Sequence, residues 1–543
     1  MPSTPTTKSQ VQAYQFVLRR MQSALVRRDA VMLHDPMRTH SRATVVGVVI
    51  SVLGLLGFMI FGLFKPKPTV PNSGNIVIGK ESGSIYVVTG NPKTLIPTFN
   101  LASARLLLMA QQERAQEGGD GAAAGGGNVE VKEPNFVSDE QLKDIPRARQ
   151  QGIPDGPPLL PTAEQRISDN WAVCDVIGLN MSLPDPTSAN ENTTTVVGGV
   201  EKLGKELTQN EALLATAENG KTYLIYRLSG DANRPHADTV RAEIDMENQR
   251  SVRRALNLSG KPRYISMSLL NAIPPVGEIK APTVPGAGSP NNFGLDGIEV
   301  GQVFSSSRVD STLYFVVTRE GVQQVSKAVA DMVRFERSPN SGPPPEVSVD
   351  RLQGLSEVGP GMDSYLDVAD YPKVVPTVLD PVRYPSSCLG WTIEGEGQNR
   401  DGHTKVFVGA DSPVPADAQG NSEAVEVGQP GPNGLPLDSF YMQPGYAAVV
   451  RSATGKDSFG RGPIQLVSDR GMRYGVPSER TAASLGLNDP RPAPESILRL
   501  LPTGPSLNTQ DALRTFDSVP VEPPEPGDFE VQSPEAAGAP GGG

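Results

Sequence analysis

One apolar stretch, Ala43–Phe64 (ATVVGVVISVLGLLGFMIFGLF), carries no charged residue and constrains this chain more than any other feature. About 20 such residues, rising ~1.5 Å each in a helix, cross the hydrocarbon core of a bilayer, so the stretch predicts one transmembrane helix. It follows 42 residues and precedes 479, so most of the chain lies on one side of the membrane. The leading flank holds Arg19, Arg20, Arg27, Arg28, Arg38 and Arg42, whereas the trailing flank has only Lys65 and Lys67. Excess Lys/Arg marks the cytoplasmic end, which puts the amino terminus inside and the bulk outside. A cleaved signal peptide fits less well: the basic leader is long, and no Ala-x-Ala-like site precedes Lys65-Pro66-Lys67-Pro68.

A content of 37% hydrophobic and 20% charged residues suits a soluble body on a single span. The 56 glycines and 51 prolines imply many turns and linkers, hence a loop-rich, elongated body. A net charge of −11, split between a basic leader and an acidic body, argues against nucleic acid as a partner of the body. The two cysteines, Cys174 and Cys388, both fall on the outer side, where disulfides persist.

Between Gln10 and His34 the apolar residues Val11, Tyr14, Leu18, Met21 and Leu25 recur at spacings of three and four, predicting an amphipathic helix that ends before Pro36. Arg19, Arg20, Arg27 and Arg28 occupy its other faces. Such a helix either lies on the anionic inner leaflet or docks a cytoplasmic partner, and these arginines are the candidate residues for orientation and contact.

The strings Tyr14-Gln15-Phe16-Val17-Leu18-Arg19-Arg20-Met21, Ala24-Leu25-Val26-Arg27-Arg28-Asp29 and Met32-Leu33-His34-Asp35-Pro36-Met37-Arg38 resemble the amino-terminal signature of EccB, the single-span membrane component of type VII (ESX) secretion systems in mycobacteria and relatives. The resemblance runs through Trp171-Ala172-Val173-Cys174-Asp175 and Cys388-Leu389-Gly390-Trp391, and is weakest in a Gly/Ala-rich insert and the carboxyl tail. It implies a structural subunit of the secretion pore complex in the inner membrane. The implied partners are the EccC motor, EccD, EccE, the mycosin protease and further copies of itself. It also implies four repeats around a central domain with quasi-two-fold symmetry.

The residues support such repeats. An apolar run ending in a glycine turn occurs at 86–90, 223–230, 314–321 and 464–471, followed by helix-like segments at Leu101–Met109, Thr239–Leu256, Ser326–Arg334 and Ser478–Leu485. An apolar–proline step closes three copies, at Ile145-Pro146, Ile273-Pro274 and Leu501-Pro502; the third copy lacks a clear one. The uneven spacing excludes a simple solenoid. The two long gaps hold Trp171-x-x-Cys174 and Cys388-x-x-Trp391, a mirrored pair. The two gap segments can therefore meet as a β-rich central domain closed by a Cys174–Cys388 bridge, the alternative being two unpaired buried thiols.

The expected fold class is α+β: one N-terminal transmembrane helix and an elongated extracytoplasmic body of four small β/α repeats around that central domain. The expected divisions are a leader (1–42), the span (43–64), a spacer (65–74), repeat 1 (75–157, with a flexible insert at 111–127) and the first central half (158–218). Repeat 2 (219–282), repeat 3 (283–374), the second central half (375–459), repeat 4 (460–510) and a disordered acidic tail (511–543) follow.

Chemistry is sparse. His236 and His403 are the only histidines outside, and no H-E-x-x-H, C-x-x-C or G-x-S-x-G occurs, so no metal or cofactor site is expected. Some EccB proteins carry an ATPase label, and Gly199-Val200-Glu201-Lys202-Leu203-Gly204-Lys205-Glu206 has the G-x-x-x-x-G-K frame. Position eight is Glu206, where a P-loop needs a Ser/Thr hydroxyl for Mg²⁺, so Gly199, Gly204 and Lys205 form only a degenerate match. Cell-wall binding by the repeats is a further class, although 5% aromatic residues is thin for stacking on sugars.

Overall fold

The computed structural model describes residues 7–28, 36–64, 69–117, 131–188, 191–228, 239–395, 400–432 and 434–516. His34, His236, residues 65–68 of the spacer, residues 118–127 of the insert and the tail from 517 lie outside them. The chain divides into two units, 1–69 and 70–543.

The first unit contains α1 (Lys8–Arg27) and α2 (Pro36–Phe64). The expected leader helix stops at Arg27 rather than His34, because Arg28 adopts a left-handed φ of 54° that closes it. Pro36 instead opens α2, a position where its missing N–H costs nothing and its fixed φ suits a helix. Within α2, Ser41–Gly62 is long and apolar enough to cross a membrane.

The second unit begins with β1 (Asn75–Gly79), β2 (Ile85–Thr89), β3 (Thr94–Thr98), α3 (Leu101–Glu117), β4 (Asn135–Val137), the one-turn α4 (Asp139–Leu142) and β5 (Gln150–Gln151). Next come β6 (Trp171–Ile177), β7 (Asn192–Gly198) and β8 (Lys205–Glu206). The second repeat holds β9 (Glu211–Ala217), β10 (Thr222–Arg227), β11 (Thr239–Ile244), α5 (Arg250–Ala255), β12 (Arg263–Ile265) and α6 (Met267–Ala272). The third holds β13 (Val303–Ser307), β14 (Thr312–Val317), β15 (Val322–Val325), α7 (Lys327–Arg337) and α8 (Val349–Leu352). After β16 (Thr377–Val378) come β17 (Ser386–Glu394), β18 (Asp401–Gly409), β19 (Val425–Glu426) and β20 (Ser439–Tyr441). The last repeat contains β21 (Ala447–Ala453), β22 (Ile464–Ser468), β23 (Arg473–Val476), α9 (Glu479–Leu485), β24 (Arg491–Pro494) and α10 (Glu495–Leu498), followed by α11 (Thr509–Ala512) and β25 (Thr515–Phe516).

Four copies of one arrangement recur. Each is a three-stranded antiparallel meander, a helix, a return in parallel against the first strand and a short helix. A backbone clasp then grips one residue of the third strand from both sides. The Leu95 N–H donates to the Pro146 carbonyl and the Leu95 carbonyl accepts from the Ala148 N–H; Arg241 makes the same two bonds with Pro274 and Val276, and Arg473 with Pro502 and Gly504. Val322 makes the same pair of bonds with Ser356 and Val358 at 2.9 Å each, so the third copy has the clasp with Ser356 where the others have proline. Ser356→Pro is therefore expected to fold and to change stability by no more than about 1 kcal/mol, in the stabilising direction, since proline restricts the unfolded chain. Thermal unfolding checks this, and a clear loss would mean that Ser356 holds a backbone angle its counterparts do not.

Four expectations need correction. The tail expected to be disordered from 511 is ordered through Phe516, where α11 packs on α3 and β25 pairs with β5. The apolar runs are the second strand of each meander, and the preceding strands β9 and β21 fall inside 158–218 and 375–459, the stretches assigned to the central domain; both pair within repeat sheets instead. Thr239–Leu256 is not one helix: residues 240–244 alternate between buried and half-buried against β10, and the helix is confined to α5. Helix α3 runs beyond Met109 through Glu117, into the expected flexible insert.

The central sheet has the order β19-β20-β7-β6-β17-β18-β8. At its middle, β6 and β17 are antiparallel with Trp171 opposite Trp391 and Cys174 opposite Cys388. Each carries a hairpin partner on its outer side, β7 and β18, so a local two-fold relates the two halves. One face packs Trp171, Val173, Leu389 and Trp391 against Leu269 and Leu270 of α6 and Ile497 and Leu498 of α10, which touch each other. Repeats 2 and 4 thus occupy equivalent places, and both place an arginine at the clasp: Arg241 Nε donates to Ile273 and Arg473 Nε to Leu501.

Candidate functional site

Strand alternation sends Ala172 and Cys174 to the opposite face of β6 from Trp171, Val173 and Asp175. Cys174 and Cys388 are fully buried among Ala172, Val197, Leu203, Val414 and Tyr441, with their sulfurs at disulfide distance and a Cα–Cα separation of 4.0 Å.

On the other face, Asp175 is a carboxylate with no exposed surface. Its Oδ2 accepts from the Ser266 N–H at 2.7 Å, and its Oδ1 from the Ser266 hydroxyl at 2.8 Å and the Thr194 hydroxyl at 2.9 Å. Ser266 is the N-cap of α6 and accepts from the Leu269 N–H, so this one carboxylate ties the central sheet to the second repeat. Arg263 is equally buried, donates through Nη2 to the Tyr384 carbonyl, and has no hydrogen-bond partner for Nε and Nη1 among the described residues. Burial pushes Arg263 down to about 10, offset in part by the charges of Asp175 and Asp380. Burial also pushes the Asp175 carboxyl up, against the lowering effect of its Ser266 and Thr194 bonds. In the sequence Asp175 stands out only as part of the Trp171-Ala172-Val173-Cys174-Asp175 landmark. The available signal was a lone charge on the strand face shared with Trp171 and Val173.

The P-loop-like frame is an edge connection. Gly199 (φ 78°) follows β7, and Gly204 (φ 111°) lies where a Cβ would sit 2.4 Å from the Val408 carbonyl oxygen, so both glycines meet backbone needs. Lys205 and Glu206 form β8, a strand on the edge of β18, where a P-loop would begin a helix. Lys205 pairs with Glu211 at 2.5 Å and Glu206 with Arg227 at 2.6 Å. The Glu211 bond holds Lys205 above its ordinary value. His403 stands on β18 opposite Thr392, remote in sequence from any other histidine.

The leader residues are organised by α1. The Thr7 N–H donates to Gln10 Oε1 at its start, and Arg27 in its last turn suits the negative helix end. Its apolar residues Val11, Tyr14, Leu18, Met21 and Leu25 are all exposed, and Arg19, Arg20 and Arg28 are exposed with them.

Comparison with known proteins gives the constellation its context. The family profile of the type VII secretion system ESX-1 transport TM domain B, EccB, matches residues 3–521. The ESX-1 secretion system ATPase EccB1 of Mycolicibacterium smegmatis (strain MKD8) is 29% identical over 95% of this chain and 97% of its own length. The ESX-3 secretion system ATPase EccB3 of Mycobacterium tuberculosis (strain H37Rv) is 30% identical over 94% and 90%. A chain of an intact ESX-5 inner membrane complex shares 27% identity and a TM-score of 0.65, covering 96% of this chain and 98% of that one. A chain of the ESX-5 periplasmic assembly gives 26% and 0.64, covering 85% and 98%. With a profile matching nearly its whole length, this chain belongs to the EccB family of type VII secretion systems.

Proposed function

We propose that this chain is a structural subunit of a type VII secretion inner-membrane complex. In this reading α2 is the anchor, α1 with Arg19, Arg20, Arg27 and Arg28 faces the cytoplasm and ties the complex to its motor, and residues 70–516 form a periplasmic body. That body associates with copies of itself and with the other membrane components. The observation that carries the reading is the near-complete mutual coverage with a chain of the ESX-5 inner membrane complex. The arginine excess before the span supports the orientation. Within the body, the buried polar groups of the central seam serve to join one element to the next.

The relatives carry the word ATPase in their names, and one pair of variants separates that role from a scaffold. Lys205→Ala is expected to leave assembly and export intact, because Lys205 is half exposed and its ion pair lies at a sheet edge. Reversing Arg19, Arg20, Arg27 and Arg28 to Glu is expected to abolish assembly or insertion. Blue-native gels of detergent-solubilised membranes and an export assay read both, and impermeant-thiol labelling of the same strain separates insertion from assembly. Export lost in Lys205→Ala, with normal assembly of the reversed leader, would overturn the scaffold in favour of a nucleotide-dependent role.

A further inference from the structure

Helices α5 and α7 pack on each other, and beside them lies an open cleft of about 820 Å³ lined by Arg250, Ser251, Arg253, Arg254, Phe335 and Glu336, among others. Arg250, Arg253 and Arg254 are three and four positions apart on α5, so their side chains are neighbours. Among the described residues none of the three has a carboxylate partner. Arg254 donates to the Pro339 carbonyl and stacks 4.6 Å from the Phe335 ring centre; Arg253 makes one long contact, 3.5 Å, to the Met246 carbonyl. On the facing helix the arginines are matched, Arg334 with Asp331 and Arg337 with Glu299. Like charges one turn apart repel, and in a chain of net charge −11 this unmatched cluster needs a reason.

The repeat does not supply one. Helices α5 and α9 align through their ends: Leu258 N–H donates to the Arg253 carbonyl and Leu487 N–H to the Ala482 carbonyl, each at 2.8 Å, across the left-handed residues Asn257 (φ 51°) and Gly486 (φ 77°). In that register Arg250, Arg253 and Arg254 correspond to Glu479, Ala482 and Ala483. The same helix end forms in the fourth repeat with no arginine at these positions.

We propose that this cleft binds a phosphate-bearing ligand, a mono- or diester. Guanidinium forks pair phosphate oxygens bidentately, and three of them with neutral donors from Asn248, Asn257 and Ser259 suit a group with more acceptor oxygens than a carboxylate has. The site stands on local geometry and does not depend on the scaffold reading.

The test uses the full chain in non-ionic detergent and phosphate-free, low-salt buffer. It is titrated by calorimetry with inorganic phosphate, glycerol 3-phosphate and a short-chain phosphatidylglycerol. Saturable binding is expected. Arg250→Gln with Arg253→Gln should weaken it at least tenfold, Arg250→Gln alone should weaken it less, and Arg480→Gln on α9 should leave it unchanged. Arg254 is kept because it packs on Phe335, and an unchanged unfolding midpoint confirms that the variants are folded. Tighter binding of the lipid than of glycerol 3-phosphate identifies a headgroup as the source, and equal binding a soluble phosphate. Absence of saturable binding for all three ligands, or binding that survives both substitutions, overturns the proposal.

Discussion

Replacing Cys388 with alanine is expected to lower the stability of the body by about 2–5 kcal/mol, the range for loss of a native disulfide. The two cysteines face each other across β6 and β17 with no exposed surface, and the loop they close spans 214 residues. That loop contains the whole of repeats 2 and 3, so the bridge removes a large set of unfolded conformations, about 4–5 kcal/mol in the loop-entropy model. Alanine is preferred to serine because the surroundings, Ala172, Val197, Leu203, Val414 and Tyr441, are largely apolar and would leave a hydroxyl without a partner. A Cys174→Ala, Cys388→Ala double variant should be no worse than the single one, since the free thiol left by a single change has no partner either. Non-reducing mass spectrometry should recover one peptide pair containing both cysteines, and denaturant unfolding reads the loss. Free thiols in protein isolated without reductant, or an unchanged midpoint in the variants, would remove the bridge from the account.

The mirrored Trp/Cys segments were legible because Trp171-x-x-Cys174 and Cys388-x-x-Trp391 carry the same residues at the same spacing in reversed order, and an antiparallel pair of strands sets such segments side by side. The membrane stretch and the leader were legible from length, charge and period alone. The first strand of each repeat was not. Glu211–Ala217 (EALLATA) consists mostly of good helix formers, and only pairing with Thr222–Arg227 makes it a strand. Thr239–Ile244 failed for the related reason that a charged period-two strand running into a short helix looks like one longer helix. The clasp of the third repeat was hidden because a backbone hydrogen bond needs no proline, and Ser356 supplies the same carbonyl. The arginine cleft could not be read from sequence, since it depends on α5 and α7 being brought together by the tertiary fold; the seam carboxylate showed only as a lone charge on an apolar strand face, with its partners Ser266 and Thr194 hidden.

The seam carboxylate carries the second large effect: Asp175→Ala is expected to cost about 3–5 kcal/mol, because it leaves buried donors without their acceptor, at roughly 1–3 kcal/mol each, and takes a nearby charge from the buried Arg263. Two losses combine. Ser266 gives up the acceptor for both its N–H and its hydroxyl at the start of α6, and Thr194 gives up the acceptor for its hydroxyl. Arg263, 2% exposed, at the same time loses the first of the two carboxylates that offset its burial. The second loss can be isolated, because Arg263→Met removes the stranded charge while keeping a long side chain in its place. Asp175→Ala in the Arg263→Met background should then cost clearly less than in the wild type, by more than the ~0.5 kcal/mol within which independent sites add. Asp175→Asn should fall between, since an amide oxygen still accepts from Ser266 but no longer offsets the guanidinium. Denaturant unfolding of the four members of the cycle measures the coupling. Strict additivity would mean that Asp175 acts only through the Ser266 cap, and that the central sheet and the second repeat are joined by hydrogen bonds and packing rather than by charge.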